Sequence, residues 1–374
     1  MRKKVLSAFP YYGGKNKMAN LICEMLNYKD TSIYIEPFGG GCRTLLNKPR
    51  HEVEIYNDSS FGLCAFFNLM SKKDTAEELI HEIYKTEYSK DCFEWALKYR
   101  NNVDDNILKQ TYRDIRDFNK KLLVKYNVMS QYDDYRVLMK ELKQMYESKD
   151  FSFVKQLSKE EVEKMKLLAK NYNLIKKTID EVGYIDLPDS WVGVDVANLI
   201  NDIDLGVATY VLYSQSRDAM GNSWTSAKFK TQEAYYRQVD KLYDVAERFN
   251  GVNVFAPQNA LTFLLESSYI NREDVCMYLD PSYLSPQEEV KAKKENKPRN
   301  LGKAYKQSFD YEDHKVLLEL IKDTKAKILI SNYDAELYNE YLTNYGNWRK
   351  LEFETSTSLA SGDKNRTEIL WYNY

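Results

Sequence analysis

Val275-Cys276-Met277-Tyr278-Leu279-Asp280-Pro281-Ser282-Tyr283 runs an unbroken apolar segment into a carboxylate, a proline and an aromatic ring. A short apolar run stopped by a turn signal predicts a buried strand of an α/β sheet. Asp280 then falls at the carboxyl end of that strand, where open α/β sheets receive their ligands.

Working outward, Val252 to Phe255 predicts a preceding strand, Tyr311 to Asp323 a helix, and Lys327 to Ile330 the next strand. The tail adds two strands, Arg349 to Phe353 and Glu368 to Tyr372, separated by a polar loop. Near the start, the β-branched run Ile33, Tyr34, Ile35 stops at Glu36-Pro37 and a glycine turn. A short helix at Thr44 to Leu46, a strand at Val53 to Tyr56 and an apolar helix from Phe61 to Met70 follow.

Between these halves the character changes. From Asp74 to Glu181 the chain reads as long, charged, amphipathic helices, opened by Thr75 and Glu78 at capping-box spacing, with Leu79, Ile80, Ile83 and Tyr84 on one face. A mixed stretch from Tyr184 to Trp191, a helix near Val196 to Ile200, a polar loop from Ser214 to Ser226 and a helix from Glu233 to Phe249 complete it. The expected organisation is an α/β catalytic domain of residues 1–73 and 250–374, split by a largely helical insert, 74–249. Length alone, 374 residues, allows one large domain or two ordinary ones.

Composition removes several function classes. No apolar run approaches the roughly 18 residues of a spanning helix, and Met1 to Val5 lacks a signal-type apolar region, so a soluble, cytoplasmic protein is expected. The 5 cysteines are scattered without a CxxC pair and only 3 histidines are present, which predicts reduced thiols and no metal centre. A formal net charge of −2 does not discriminate, because nucleic-acid binding needs a basic face and not a basic total. The 31 tyrosines suit base stacking and core packing alike.

The turn Glu36-Pro37-Phe38-Gly39-Gly40-Gly41 follows a strand and precedes a helix, where glycines let backbone amides approach a ligand. Asp58, at the end of the next strand, is placed to accept hydrogen bonds from ribose hydroxyls. The dinucleotide fingerprint fails, because Gly39 and Gly41 are followed by Thr44, and no GK[ST] forms a phosphate loop. What remains is a nucleoside ligand without a pyrophosphate. At the other site, Asp280 and the Pro281 carbonyl offer two acceptors and Tyr283 an aromatic face. A planar base with an exocyclic amine fits them, its lone pair turned toward an electrophile. No Cys/His or Ser/His/Asp arrangement suggests covalent catalysis.

Taken in order, Tyr12-Gly13-Gly14-Lys15, the Glu36 to Gly41 turn, Tyr56-Asn57-Asp58 and Asp280 to Tyr283 resemble the Dam-like, class α DNA adenine N6-methyltransferases. The likeness covers the α/β portions at both ends. It implies a Rossmann-like class I S-adenosylmethionine-dependent methyltransferase sheet with helices on both faces, interrupted by a helical target-recognition insert. It further implies S-adenosylmethionine as cofactor, contacted by Tyr11, Tyr12, Gly14, Lys15, Glu36, Phe38, Gly39, Gly40, Asp58, Asn259, Ala260 and Asp280. Asp280, Pro281, Ser282 and Tyr283 are then catalytic. Three positions depart from the family's habit: Asn259 where a carboxylate usually meets the cofactor's adenine amine, Cys42 where glycine is frequent, and Ser282 for a second proline. Ser331-Asn332-Tyr333 resembles the family's later block.

The resemblance places double-stranded DNA recognition in the insert. Tyr213, Ser216, Arg217, Asn222 and Trp224 combine base-reading polar groups with aromatics. Lys303 represents a lysine-rich stretch that also includes Lys291, Lys293, Lys294, Lys297, Arg299 and Lys306. The run Lys109, Arg113, Arg116, Lys120, Lys121, Lys125 is interleaved with Asp114 and Asp117 and reads as a solvated helix face. A monomer and a cognate restriction endonuclease are the expected assembly and partner. The competing readings are an N4-cytosine methyltransferase, methylation of RNA or a protein amine, a catalytically silent DNA-binding relative, and an NAD-dependent oxidoreductase, the last disfavoured by the failed fingerprint.

Overall fold

The computed structural model describes residues 5–15, 18–26, 30–125, 192–295, 309–344, 348–356 and 365–374. Its centre is a 7-stranded sheet in the order β3-β2-β1-β4-β5-β7-β6. These strands are β1 (Ile33–Glu36), β2 (Val53–Tyr56), β3 (Asn253–Val254), β4 (Val275–Leu279), β5 (Lys327–Tyr333), β6 (Arg349–Ser356) and β7 (Asn365–Tyr372). Neighbours from β3 to β5 run parallel, while β7 is antiparallel to both β5 and β6. Strand order turns back between β1 and β4, which opens a crevice at their carboxyl ends.

Side-chain alternation along the strands builds two cores. Tyr34, Tyr56, Cys276, Tyr278, Leu329 and Leu370 face one. Ile33, Ile35, Ile55, Val275, Met277, Leu279, Ile328, Ile330, Ile369 and Trp371 face the other. Both faces of β1 and β4 are buried, so their sequences read as continuous apolar runs.

Helices cover each face. Over the first lie α1 (Ala19–Met25), α2 (Arg43–Asn47), α3 (Phe61–Met70), α4 (Lys73–Tyr84), the start of α5 (Lys90–Lys125), α6 (Ile203–Gln215), α7 (Gln232–Val239) and α8 (Leu242–Phe249). Against the second pack α9 (Ala260–Ser267), α11 (Tyr311–Ile321) and the short α12 (Glu336–Tyr338), with α10 (Pro286–Glu295) lying against α11 and α12.

Two compact units result: Met1–Arg100 with Ala197–Tyr374, and Asn101–Val196. Residues 74–100 and 197–249, expected in the insert, therefore pack with the sheet. The reason is the α3–α6 contact: a Cβ added at Gly206 would lie 2.8 Å from Leu69 Cδ1 and 3.0 Å from Leu79 Cδ1, so the backbones meet closely there. The expected capping box at Thr75 is absent. Helix α4 starts earlier, at Lys73, and the Thr75 hydroxyl donates to the Leu69 and Lys72 carbonyls. The expected helix from Glu233 to Phe249 is two helices with a break at Asp240 and Lys241. Tyr184 to Trp191 lies outside the described residues.

Candidate active site

The glycine turn after β1 is fixed by contacts that leave no room for side chains. A Cβ at Gly39 would fall 2.2 Å from the Tyr56 ring, and one at Gly40 2.8 Å from the Tyr11 ring. Gly40 has φ +47, and Cys42 is also left-handed at φ 57, a conformation that explains why glycine would suit that place. Tyr56 OH donates to the Gly40 carbonyl at 2.9 Å. Asp58 closes the turn from β2: Oδ2 accepts from Gly40 N and Oδ1 from Ser60 N, both at 2.8 Å. Burial nonetheless raises the Asp58 carboxyl, against the lowering effect of those amides.

Glu36 is 3% exposed. Its Oε1 accepts from Tyr34 OH at 2.8 Å and from Leu45 N at 2.6 Å, tying the end of β1 to α2. Burial, reinforced by Asp280 across the site, pushes its carboxyl up to about 7, with Tyr34, Leu45 and Lys48 opposing. Phe38 is half-buried, its ring 5.3 Å from Phe309 and edge-on to it.

Asp280 continues β4 on the same face as Cys276 and Tyr278. Its Oδ1 accepts from Ser331 Oγ at 2.9 Å, and Ser331 also bonds Tyr278 OH at 3.0 Å. Lys15 Nζ lies 2.9 Å from the same Oδ1, 4.4 Å from the Tyr283 ring centroid and 3.0 Å from the Gly13 carbonyl it donates to. Tyr283 is held at its far end, where its OH donates to Glu368 Oε2 at 2.9 Å, and on its side by the Tyr333 ring, edge-on at 4.9 Å. Burial first, then Asp280, raises the Tyr283 phenol well above its ordinary range. Pro281 is buried, and Ser282 is half-exposed.

The structure thus brings together Tyr11, Gly14, Lys15, the Glu36 to Gly40 turn, Asp58 and Asp280 to Tyr283. Tyr12 is 37% exposed, and its amide donates to the Ala219 carbonyl at 3.2 Å. Asn259 caps α9, its Oδ1 accepting from Leu261 N at 2.8 Å, with Ala260 as the first helical residue. Sequence reading missed Glu368 and Arg43. Arg43 is 8% exposed and donates to Ser7 Oγ at 2.8 Å; its Nε and Nη1 have no hydrogen-bond partner. A Cβ at Gly14 would meet Nη1 at 2.8 Å. Burial lowers the guanidinium to about 10.

The loop expected to read DNA is closed by a bridge between Ser216 and Trp224 and by Arg217 N donating to the Ser223 carbonyl at 2.9 Å. Ser216 is fully buried, so its side chain belongs to the base of this loop and not to an outer surface, a correction to its expected role. Tyr213 stacks on Phe9 at 5.1 Å, and the Trp224 ring packs 6.0 Å from Tyr88. Arg217 and Asn222 are exposed, Asn222 accepting from Arg100 Nη2 at 3.2 Å. Lys293 belongs to α10 and pairs with Glu289 and Glu336, at 3.1 Å and 2.8 Å. Lys303, with Lys297, Arg299 and Lys306, lies outside the described residues. Among the described residues no group of His, Cys, Asp and Glu is arranged to hold a metal ion, and no helix is long and apolar enough to cross a membrane.

A parallel sheet in this order with an antiparallel β7, a glycine turn after β1 and an acid after β2 is the class I S-adenosylmethionine-dependent methyltransferase fold. Residues 11–184 match the model of the D12 class N6 adenine-specific DNA methyltransferase family, which indicates an adenine-specific DNA methyltransferase. The matched stretch holds Lys15, the glycine turn and Asp58; Asp280 to Tyr283 lies beyond it. No curated protein matches the chain.

Proposed function

We propose that this chain is a Dam-like, class α enzyme that uses S-adenosylmethionine to methylate the N6 amine of an adenine flipped out of duplex DNA. One observation carries the reading: the Asp280 carboxylate and the Tyr283 face already hold a nitrogen, that of Lys15, 2.9 Å from the carboxylate and 4.4 Å from the ring centroid. The N6 of a base stacked on Tyr283 would take that place.

The residues present fit the cofactor. An uncompensated buried guanidinium is costly, and Arg43, with two unpartnered nitrogens beside Gly14, suits a ligand that carries a carboxylate. Tyr11, Tyr12, Gly14, Phe38, Gly39 and Gly40 would line its methionine part, Asp58 its ribose, and Asn259 and Ala260 its adenine. Bound S-adenosylmethionine supplies a methyl group on a sulfonium, an electrophile for an amine nitrogen.

Asp280 and the Pro281 carbonyl accept the two amine hydrogens and turn the nitrogen lone pair out of the ring plane. Tyr283, braced by Glu368 and Tyr333, keeps the base planar and stacked. As positive charge develops on nitrogen, Asp280 stabilises it and is placed to take the departing proton. Ser331 keeps Asp280 oriented throughout. Arg217 and Asn222 are the exposed base-reading candidates of the 216–224 loop.

The test is incubation with unmethylated DNA and S-adenosylmethionine, digestion to nucleosides and mass spectrometry. N6-methyladenine is expected, with Asp280→Ala nearly inactive but still binding DNA. N4-methylcytosine would transfer the reading to the cytosine-specific alternative, and no methylated nucleoside across varied sequences would leave a silent DNA-binding relative.

A further inference from the structure

Adjacent residues of β5 point to opposite faces of the sheet, and both reach the segment after β4. Ser331 bonds Asp280 from the first core, while Asn332 lies in the second core, fully buried. Asn332 Oδ1 accepts from Leu284 N at 3.0 Å and from Tyr333 N at 2.7 Å. Its Nδ2 is buried without a hydrogen-bond partner, and the nearby α12 ends at Tyr338. Tyr338 OH lies 2.8 Å from His314 Nδ1. His314 and Tyr338 are each fully buried.

The Nε2 of that imidazole is buried without a hydrogen-bond partner. Burial drives the imidazole down to about 3, so the ring is neutral and carries one N–H. Phe309 closes over the ring edge-on at 4.8 Å. Glu289 of α10 accepts from Glu336 N and Leu337 N, both at 2.8 Å, and so fixes the helix start that carries Tyr338.

We propose that Asn332 is a positioning residue that grips the chain beside Tyr283 at two points, the Leu284 amide and the amide of Tyr333, whose ring braces Tyr283, and so sets the orientation of the Pro281 carbonyl and the Tyr283 ring toward the base. This rests on the catalytic reading of Asp280 to Tyr283. The grip comes from the sheet face opposite Asp280, and no atom of it touches the base. It therefore acts on the geometry of transfer and not on binding of either ligand. Misplacement of reacting groups by about 1 Å costs on the order of a hundredfold in rate.

The experiment measures single-turnover methylation at saturating cofactor and DNA, beside equilibrium binding of both ligands. Asn332→Leu removes the acceptor for Leu284 and is expected to slow the step by about a hundredfold, with both affinities unchanged. Asn332→Ala loses the same acceptor with less bulk and is expected to show the same loss, so the test stands if Asn332→Leu does not fold, whereas Asn332→Asp keeps an acceptor oxygen at that place and should restore most of the rate. Wild-type single-turnover rates in Asn332→Leu, or in Asn332→Ala if that is the one that folds, overturn the proposal. So do equal losses in Asn332→Asp and Asn332→Ala, which would reduce Asn332 to packing. Asp280→Ala is run in parallel: its inactivity keeps such a result confined to the positioning residue, and its activity would sink the catalytic reading itself.

Discussion

Gly39→Ala tests whether the glycine turn after β1 is set by space alone. Gly39 has no positive φ, so its backbone accepts alanine, and the whole penalty comes from the new methyl. That methyl would stand 2.2, 2.6 and 2.7 Å from three atoms of the Tyr56 ring. Restoring ordinary carbon contact at about 3.5 Å needs a shift of about 1.3 Å. Tyr56 cannot easily retreat: it is fully buried, with Phe67 at 4.8 Å and Phe249 at 6.1 Å, and its OH is bonded to the Gly40 carbonyl at 2.9 Å. Overpacking of this kind costs about 1–3 kcal/mol, and loss of the hydroxyl bond adds about 1 kcal/mol. Guanidinium unfolding should therefore show a loss of about 2–4 kcal/mol at unchanged slope. In a Tyr56→Leu background the same alanine should cost under about 0.5 kcal/mol, because the ring it strikes is gone. A near-neutral Gly39→Ala, or an equal cost in both backgrounds, would refute the steric argument.

Three further outcomes are expected. Lys15→Met frees Asp280 and the Tyr283 face; with side chains 10% and 22% exposed, the displaced pair is worth about 1 kcal/mol after screening, so 2-aminopurine at the target position should brighten about fivefold more in the DNA complex, and an unchanged signal would show that Lys15 does not compete with the base. Glu36→Gln removes a carboxyl that folding raises from 4.5 to about 7. A raised value favours the folded state below the unfolded one and loses that advantage as pH climbs to the folded one, so wild type should lose about 3 kcal/mol relative to the variant between those limits and none above them; parallel unfolding curves across that window would contradict it. Asn259→Asp adds an oxygen beside the one that caps α9, and calorimetry should find S-adenosylhomocysteine bound about threefold more tightly; equal gains with its inosine analogue, which lacks the amine, would show that the new oxygen does not meet that group.

Sequence reading worked where one strand satisfies both sheet faces. β2, β4 and α3 fall at the expected bounds because β-branched or apolar runs end sharply there, at Asn57, at Asp280-Pro281 and at Ser71. It failed at α6, where no element is read between Ile200 and the loop from Ser214, because ten of its residues are buried all round and leave no polar face to set a period. β5 was expected to stop at Ile330, yet Ser331 and Asn332 continue it, fully buried. Their polarity reads as a turn in sequence; in the fold Ser331 Oγ bonds Asp280 and Tyr278, and Asn332 Oδ1 accepts from Leu284 N. Asp280, Tyr283, Lys15 and Gly39 were legible as local patterns. Glu368 was not, because it gains its role from a residue 85 positions away.

The packing also says why the 216–224 loop belongs with the catalytic unit. Tyr213 lies against both Phe9 and Tyr11, at 5.1 and 5.2 Å, and Tyr12 N is bonded to the Ala219 carbonyl. Three residues beyond Tyr12, Lys15 reaches Asp280. Lys228 braces the same loop, donating to the Tyr213 and Ser216 carbonyls at 3.3 and 2.7 Å. Arg217 and Asn222, the exposed groups proposed to read DNA, are thus joined through the Tyr12–Ala219 hydrogen bond and a short segment to the ammonium that, in the proposed mechanism, a flipped base would displace. A shift of that loop on DNA would have a direct route to Lys15 through that bond and the covalent chain after it, and no contact through the sheet is required.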